Sequence, residues 1–77
     1  MTIIELGNEL RQMYESTNTE KVAMIHLFGI KYAKEIRGNG YTPKEILKVA
    51  DMNESYFAEI NKGIKLAKYV EVKEEYM

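Results

Sequence analysis

Cysteine is absent from this chain of 77 residues, and histidine occurs once, at His26. The lack of cysteine excludes disulfide bonds, and without cysteines or several histidines a structural zinc site has no ligands. It also fits a reducing compartment. Stability must therefore come from the burial of apolar side chains, which make up 45% of the residues. A chain this short buries only a little over ~60% of its unfolded surface, so every apolar face is needed.

Long apolar runs are also missing. None approaches the ~18 consecutive residues that a membrane-spanning helix requires. The longest, residues 22–30, is interrupted by His26 and Gly29. The first five residues lack the basic start of a signal peptide. We therefore expect a cytoplasmic protein with no membrane partner.

The chain also has no excess of positive charge, since its net charge at pH 7 is −1 and its calculated pI is near 5.8. Domains that bind nucleic acids usually have a basic face, so the distribution of charge matters more than its sum. Residues 41–70 contain five lysines and four acidic residues, whereas residues 71–77 form an acidic tail. The middle of the chain is therefore weakly basic.

Helix-start signals divide the chain into predicted helices. The pattern Thr-x-x-Glu, which closes the first turn of a helix through two reciprocal hydrogen bonds, begins at Thr2, Thr17 and Thr42. After each copy, apolar residues repeat at three- and four-residue spacing, as on amphipathic helices. The second helix is predicted over about residues 18–37 and ends at Gly38-Asn39-Gly40.

This second helix is apolar on most of its sides, which indicates a central position contacted by several neighbours. Gly29 weakens it by up to ~1 kcal/mol relative to alanine, yet permits a close helix crossing. Residues 29–34, Gly-Ile-Lys-Tyr-Ala-Lys, recur as residues 63–68, Gly-Ile-Lys-Leu-Ala-Lys. A duplicated hairpin and coincidence both explain the repeat, and we favour coincidence because the flanking residues do not align.

Residues 42–63 have the spacing of a helix–turn–helix. The third helix starts at Pro43 and runs to about Ala50, and the fourth starts at Asn53, a good N-cap. The inward positions of the pair are apolar, as a fixed angle between two helices requires. These positions are Ile46, Leu47, Ala50, Met52, Phe57 and Ile60. The fourth helix ends either at Gly63 or near Val70, and residues 69–73 also alternate as a short strand would.

A helix–turn–helix binds DNA by placing its second helix in the major groove. There, asparagine can pair with adenine, glutamate can accept from cytosine, and lysine can donate to guanine. The predicted base-contacting residues are Asn53, Glu54, Ser55, Glu59 and Lys62. Lys44 and Lys65 are predicted to contact phosphates.

The same region resembles small helix–turn–helix-like domains of bacterial and phage proteins. The resemblance rests on residues 42–47, Thr-Pro-Lys-Glu-Ile-Leu, and residues 59–63, Glu-Ile-Asn-Lys-Gly. It implies an all-α domain and a role in transcriptional regulation. The chain departs from the pattern at Asp51, where glycine is common, and at Leu47, where a small residue is common. Aspartate can adopt the left-handed turn conformation at modest cost, whereas the larger leucine predicts a wider helix crossing.

Cations and aromatic residues outside the motif have simpler interpretations. Two rows of cations are spaced three residues apart: Lys31, Lys34, Arg37 and Lys62, Lys65, Lys68. We interpret the first row as a solvated helix face, and the second as a possible phosphate-binding row because it adjoins the motif. Among the aromatic residues, Tyr14, Phe28, Tyr32 and Phe57 are predicted to lie in the core. Tyr41 and Tyr56 are predicted to lie on the surface.

Neither enzyme activity nor a bound cofactor is expected. His26 lies between Ile25 and Leu27, which favours a buried, hydrogen-bonded side chain over a catalytic base. The chain has no glycine-rich phosphate loop after a strand, no metal-ligand spacing and no nucleophile motif.

The sequence therefore predicts one all-α domain over residues 1–77, built from four helices in two hairpins, the second a helix–turn–helix. The leading hypothesis is binding of double-stranded DNA as a homodimer, because one short helix contacts too few bases for tight specific binding. The alternative is a protein-interaction module that docks a protein partner through the same hairpin or the acidic tail. The near-zero net charge and two glutamates on the proposed reading face favour this alternative.

Overall fold

Five α-helices make up most of residues 1–76, the part of the chain that the computed structural model describes. They are α1 (Ile3–Glu15), α2 (Lys21–Lys31), α3 (Ala33–Asn39), α4 (Pro43–Val49) and α5 (Phe57–Leu66). Single 3-10 turns cover Glu54–Tyr56 and Glu74–Tyr76. None of these residues belongs to a strand, so the all-α prediction is confirmed and the segment 69–73 is not a strand.

Reciprocal hydrogen bonds fix the starts of α1 and α4, as their capping boxes predict. The Thr2 hydroxyl accepts from the Glu5 backbone N–H at 3.1 Å, and the Thr2 N–H donates to the Glu5 carboxylate at 2.8 Å. Thr42 and Glu45 make the equivalent pair at the start of α4, with proline at the first helical position. The predicted boundaries of these two helices are therefore accurate.

The helix predicted over residues 18–37 is two helices in the structure. The Thr17 hydroxyl accepts from the backbone N–H of Glu20 at 3.3 Å, but this bond closes a turn, and α2 begins only at Lys21. A break then occurs at Tyr32, whose φ and ψ of −109° and 17° are not helical. The Tyr32 hydroxyl donates to the Glu9 carboxylate on α1 at 3.2 Å, so the residue at the break is bonded to another helix.

The hydrophobic core lies between α1, α2, α4 and α5. Its largest fully buried side chains are Leu6, Leu10, Ile25, Phe28, Ile46, Leu47 and Ile60. α1 packs against α2 and α4, and the most extensive helix pair is α2 with α5. The faces predicted as inward for α4 and α5 are thus largely confirmed.

Helices α2 and α5 approach closely because each contributes a glycine to the surface where they meet. A Cβ atom on Gly29 would lie 2.7 Å from the carbonyl oxygen of Ile60, and one on Gly63 would lie 3.0 Å from the Gly29 Cα. The predicted close crossing at Gly29 is confirmed. The two copies of the repeat therefore have a shared packing role, since their first residues meet at this crossing.

Phe57, predicted to lie in the core, is exposed, and Tyr56, predicted to lie on the surface, is half-buried. The Phe57 side chain is 41% exposed, so its assignment to the core was wrong. Tyr56 is half-buried, and its hydroxyl lies 3.1 Å from that of Tyr14 on α1. The physical reason is the 3-10 turn Glu54–Tyr56, which advances fewer residues per turn than an α-helix and directs residue 56 toward α1.

Within the described residues, the helices are too short and too polar for any of them to cross a bilayer.

Candidate nucleic-acid interface

The turn between α4 and α5 is held by the backbone and by one side chain of α1. Asp51 has a φ of +56°, the left-handed conformation predicted for it, and the Met52 N–H donates to the Leu47 carbonyl at 3.0 Å. Nη1 of Arg11 donates to the carbonyl oxygens of Ala50 and Asp51 at 3.4 and 2.9 Å. The angle between α4 and α5 is therefore braced by α1, a role of Arg11 that the sequence pattern did not indicate.

The predicted base-contacting residues nearest the turn lie on the exposed surface. Asn53, Glu54 and Ser55 are all exposed. Oδ1 of Asn53 accepts from the Ser55 backbone N–H at 2.9 Å, so the predicted N-cap is present, although it caps the 3-10 turn rather than α5 itself. Because Oδ1 is engaged in this bond, the amide NH₂ of Asn53 is the group oriented for contacts outside the protein.

α5 has two chemically different faces. Ile60, Gly63 and Ile64 are buried against the rest of the protein. Lys62 and Lys65 are exposed, and the Lys62 side chain retains 63% of its accessible surface. The inner face fixes the position of the helix, and the outer face carries two positive charges.

Glu59 lies at the border between these faces, and its environment differs from that of the other predicted contacts. Its side chain is 24% exposed, its carboxylate accepts a hydrogen bond from Nε2 of His26, and Lys62 Nζ lies 3.4 Å from its other oxygen. The hydrogen bond from His26 is the largest effect and holds the pKa of Glu59 below its usual value of 4.5, although desolvation opposes it. The charge of Lys62 is a smaller effect and also lowers this pKa. The carboxylate is therefore ionised at neutral pH and is bonded within the protein.

His26 is hydrogen-bonded, as predicted, but its side chain is 31% exposed and so only partly buried. Its partner lies 33 residues away in the sequence. No local pattern in the sequence indicates such a pair, because its two residues belong to different helices.

Lys44 of α4 lies beside the first residue of α5, whereas Lys65 lies near the last residue of α5. The exposed Lys44 of α4 places its Nζ 5.0 Å from the centre of the Phe57 ring, in a cation–π contact at the first residue of α5. At the other end, Lys65 and Lys62 line an open hollow of about 340 Å³ together with Leu66 and Tyr69. The structure therefore distributes the predicted phosphate-contacting lysines along the length of this helix.

A protein-family model described as an HTH-like domain matches residues 2–73. The match includes α1, α2 and α3 as well as the motif, so it extends far beyond the middle third on which the resemblance in the sequence rests. Comparison with curated proteins and with solved structures gave no match.

Proposed function

Since the chain belongs to the HTH-like domain family, we propose that it binds double-stranded DNA through α5 and acts in transcriptional regulation. In this proposal α5 enters the major groove, where Asn53, Glu54, Ser55 and Lys62 contact bases while Lys44 and Lys65 contact phosphates. The observation that carries it is the two-faced character of α5. One face is packed on α2 through the glycine crossing, and the other presents exposed lysines.

Glu59 has a supporting role in this proposal. Its carboxylate is bonded to His26 and lies within 3.4 Å of Lys62 Nζ, so it orients the lysine and also compensates part of the lysine's charge. A base contact by Glu59 itself would require breaking these bonds. We therefore assign Glu59 to positioning Lys62.

A homodimer is part of the proposal because α5 is only 10 residues long. A helix of this length contacts a few base pairs, and a second copy on an adjacent half-site supplies the missing affinity and specificity. Sedimentation equilibrium with and without duplex DNA tests this step. A monomer bound to DNA with one-to-one stoichiometry contradicts it.

Fluorescence polarisation with a labelled random-sequence duplex tests DNA binding directly. We expect a dissociation constant of about 10⁻⁶ to 10⁻⁴ M, and a steep loss of affinity as salt rises, because lysine–phosphate contacts release counterions. Absence of binding at about 100 μM protein in about 50 mM salt overturns the proposal.

A pair of double variants with the same change of net charge locates the binding surface. Lys62→Glu with Lys65→Glu should weaken DNA binding by at least about tenfold, since it replaces two attractive contacts by repulsion. Lys34→Glu with Lys73→Glu changes the net charge equally but leaves the outer face of α5 intact, and it should retain most of the affinity. Equal losses in the two variants would indicate a general charge effect and no specific surface.

A protein partner is the second candidate function, and one observation favours it. The Tyr69 side chain is 82% exposed and lies beside Leu66, which is 41% exposed, at the end of α5. Adjacent exposed apolar side chains mark many protein-binding surfaces. If Tyr69→Ser with Leu66→Ser abolishes binding of a protein partner while DNA affinity is unchanged, this surface serves protein contact.

A further inference from the structure

A second basic site lies away from the outer face of α5. It is a groove of about 790 Å³. One wall is formed by the end of α2 and by α3, and the other by residues 67–72, which follow α5. Its apolar lining includes Ala33, Ala67 and Val70. Its charged lining contains four cations, Lys31, Lys34, Arg37 and Lys68, and two carboxylates, Glu35 and Glu71.

The cations of this groove come from two separate rows in the sequence. Lys31, Lys34 and Arg37 form the first row, whose spacing alone indicates a solvated helix face, and Lys68 ends the second row. The fold brings the two rows to opposite walls of one groove, so the local charge is positive although the whole chain has a net charge of −1. Arg37 is fixed there, because its Nη2 donates to the carbonyl oxygen of Ile64 in α5 at 3.3 Å.

We propose that this groove binds a small amphipathic anion, a molecule with an apolar body and a carboxylate, sulfonate or phosphate group. Sites for small molecules typically measure 300–1,000 Å³ and combine apolar walls with a few polar groups, and the groove has both properties. The apolar body lies against Ala33, Ala67 and Val70, and the anionic group lies between Lys34 and Lys68.

The shape and charge of the groove favour a small anion over a DNA backbone. A phosphate backbone would leave the apolar lining without a partner and would approach Glu35 and Glu71, which repel it. A single anionic group avoids both costs, because it occupies one point between the cations while its apolar body covers the lining. Apart from Lys68, which ends the row interpreted as phosphate-binding, the lining residues lie outside those considered for DNA contact, and the test uses no DNA.

The probe for the test is 8-anilinonaphthalene-1-sulfonate, an amphipathic anion whose fluorescence rises in apolar sites. We expect saturable binding with one-to-one stoichiometry, together with amide chemical-shift changes at Ala33, Ala67 and Val70 in ¹⁵N-labelled protein. N-phenyl-1-naphthylamine, which has the same body without charge, should bind at least about tenfold more weakly. Inorganic sulfate, which has the charge without the body, should not displace the probe at equal concentration.

Matched variants separate the groove from general charge. Lys34→Glu with Lys68→Glu should weaken binding of the probe at least about tenfold, and Glu71→Gln should strengthen it, because each change alters the charge facing the anion. Lys44→Glu with Lys48→Glu on α4 changes the net charge equally and should have little effect. All of these side chains are exposed or at the groove, and Lys34→Gln with Lys68→Gln provides a milder pair should charge reversal disturb folding.

Four results would overturn the proposal: no saturable binding, shift changes that map outside the groove, equal affinity for the uncharged analogue, or no response to the Lys34 and Lys68 variants. Equal affinity for the uncharged analogue would identify a purely apolar patch. Unchanged circular dichroism in each variant shows that the readout reports binding and not unfolding.

Discussion

Gly29 of α2 and Gly63 of α5 face each other across a close helix crossing, where the Cα of one glycine occupies the space that a side chain on the other would need. The crossing is what holds the inner face of α5 against the core. Since α5 is the helix proposed to enter the major groove of DNA, the geometry of the candidate interface depends on glycine, which has no Cβ atom, at both positions.

Replacing Gly63 with alanine should destabilise the protein, although alanine favours a helix interior by up to ~1 kcal/mol. A Cβ atom at this position would overlap the His26 carbonyl oxygen and lie 3.0 Å from the Gly29 Cα, so the backbones would have to separate. Overpacking of this kind costs about 1–3 kcal/mol, and we expect a net loss of about 1–2 kcal/mol in urea unfolding. Gly29→Ala should behave in the same way.

Gly38 provides the matched control for this series. It also lies within a helix, α3, but a Cβ atom there would meet no other atom within 4 Å. Gly38→Ala should therefore raise the free energy of unfolding by about 0.5–1 kcal/mol. If the alanine variants at Gly63 and Gly38 shift stability in the same direction, the crossing leaves room for a Cβ atom at Gly63 and the expected overlap is absent.

Asp51 is the position where the turn stores backbone strain. Its φ of +56° is unfavourable for a residue with a side chain. Asp51→Gly should stabilise the protein by about 0.5–1 kcal/mol, because glycine adopts this conformation freely. Asp51→Val should destabilise it by about 1–2 kcal/mol, since β-branched residues tolerate this region least. Thermal unfolding of the two variants in one buffer measures both, and a stabilising valine would contradict the assigned backbone conformation.

Local signals predicted the helix starts and the turn well, because each depends on residues within one turn of the chain. Thr2, Thr42 and Gly40 have the roles that their sequence context implies. Other features did not follow from such signals. The helix that the apolar pattern predicted as continuous breaks at Tyr32, whose hydroxyl bonds to Glu9 on another helix, and a 3-10 turn precedes the exposed Phe57. Apolar periodicity indicates neither a contact between helices nor a change from α to 3-10 geometry.

The candidate site was predictable to a similar extent. The positions of Lys62 and Lys65 follow from helical spacing, and both are exposed. The pairing of Glu59 with His26 does not follow from it, because the partners lie on different helices. The role of Arg11 likewise depends on how α1 meets a turn 40 residues away. Roles in DNA contact for the predicted residues stay predictions until the binding experiments are done.

Alkaline pH should destabilise the protein through Tyr32. Burial raises the pKa of this phenol from 10.0 to about 12, and the nearby Glu9 carboxylate acts in the same direction. The folded state therefore keeps the proton more tightly than the unfolded chain, so the stabilisation is complete below pH 10 and is lost as the pH rises through about 12. Urea unfolding at pH 9 and at pH 11 measures this loss. Between the two pH values, the free energy of unfolding should fall less for Tyr32→Phe than for the natural sequence.

Tyr56 is a second tyrosine with a raised pKa, and the hydrogen bond with Tyr14 is the largest cause of the rise. Its effect is common to the natural protein and the Tyr32→Phe variant, so the difference between the two proteins isolates Tyr32. An equal alkaline loss in the two proteins would show that the folded and unfolded states bind this proton equally.

Acidic pH should weaken the link between α2 and α5 through Glu59. The hydrogen bond from His26 lowers the pKa of the carboxyl below 4.5, so the folded state favours the ionised form more than the unfolded chain does. The stabilisation is therefore present above pH 4.5 and is lost as the pH falls through the lower pKa that Glu59 has in the folded state.

Titration of the Glu59 carboxyl carbon by NMR should give a pKa below 4.5 in the natural protein. The pKa should be higher in His26→Gln, because this variant alters the hydrogen bond that lowers it most. Lys62→Gln should raise it less, since the charge of Lys62 is a smaller contribution. A Glu59 pKa that is the same in all three proteins would mean that the carboxylate is not held by His26, and Lys62 would then lose the anchor that we assign to it.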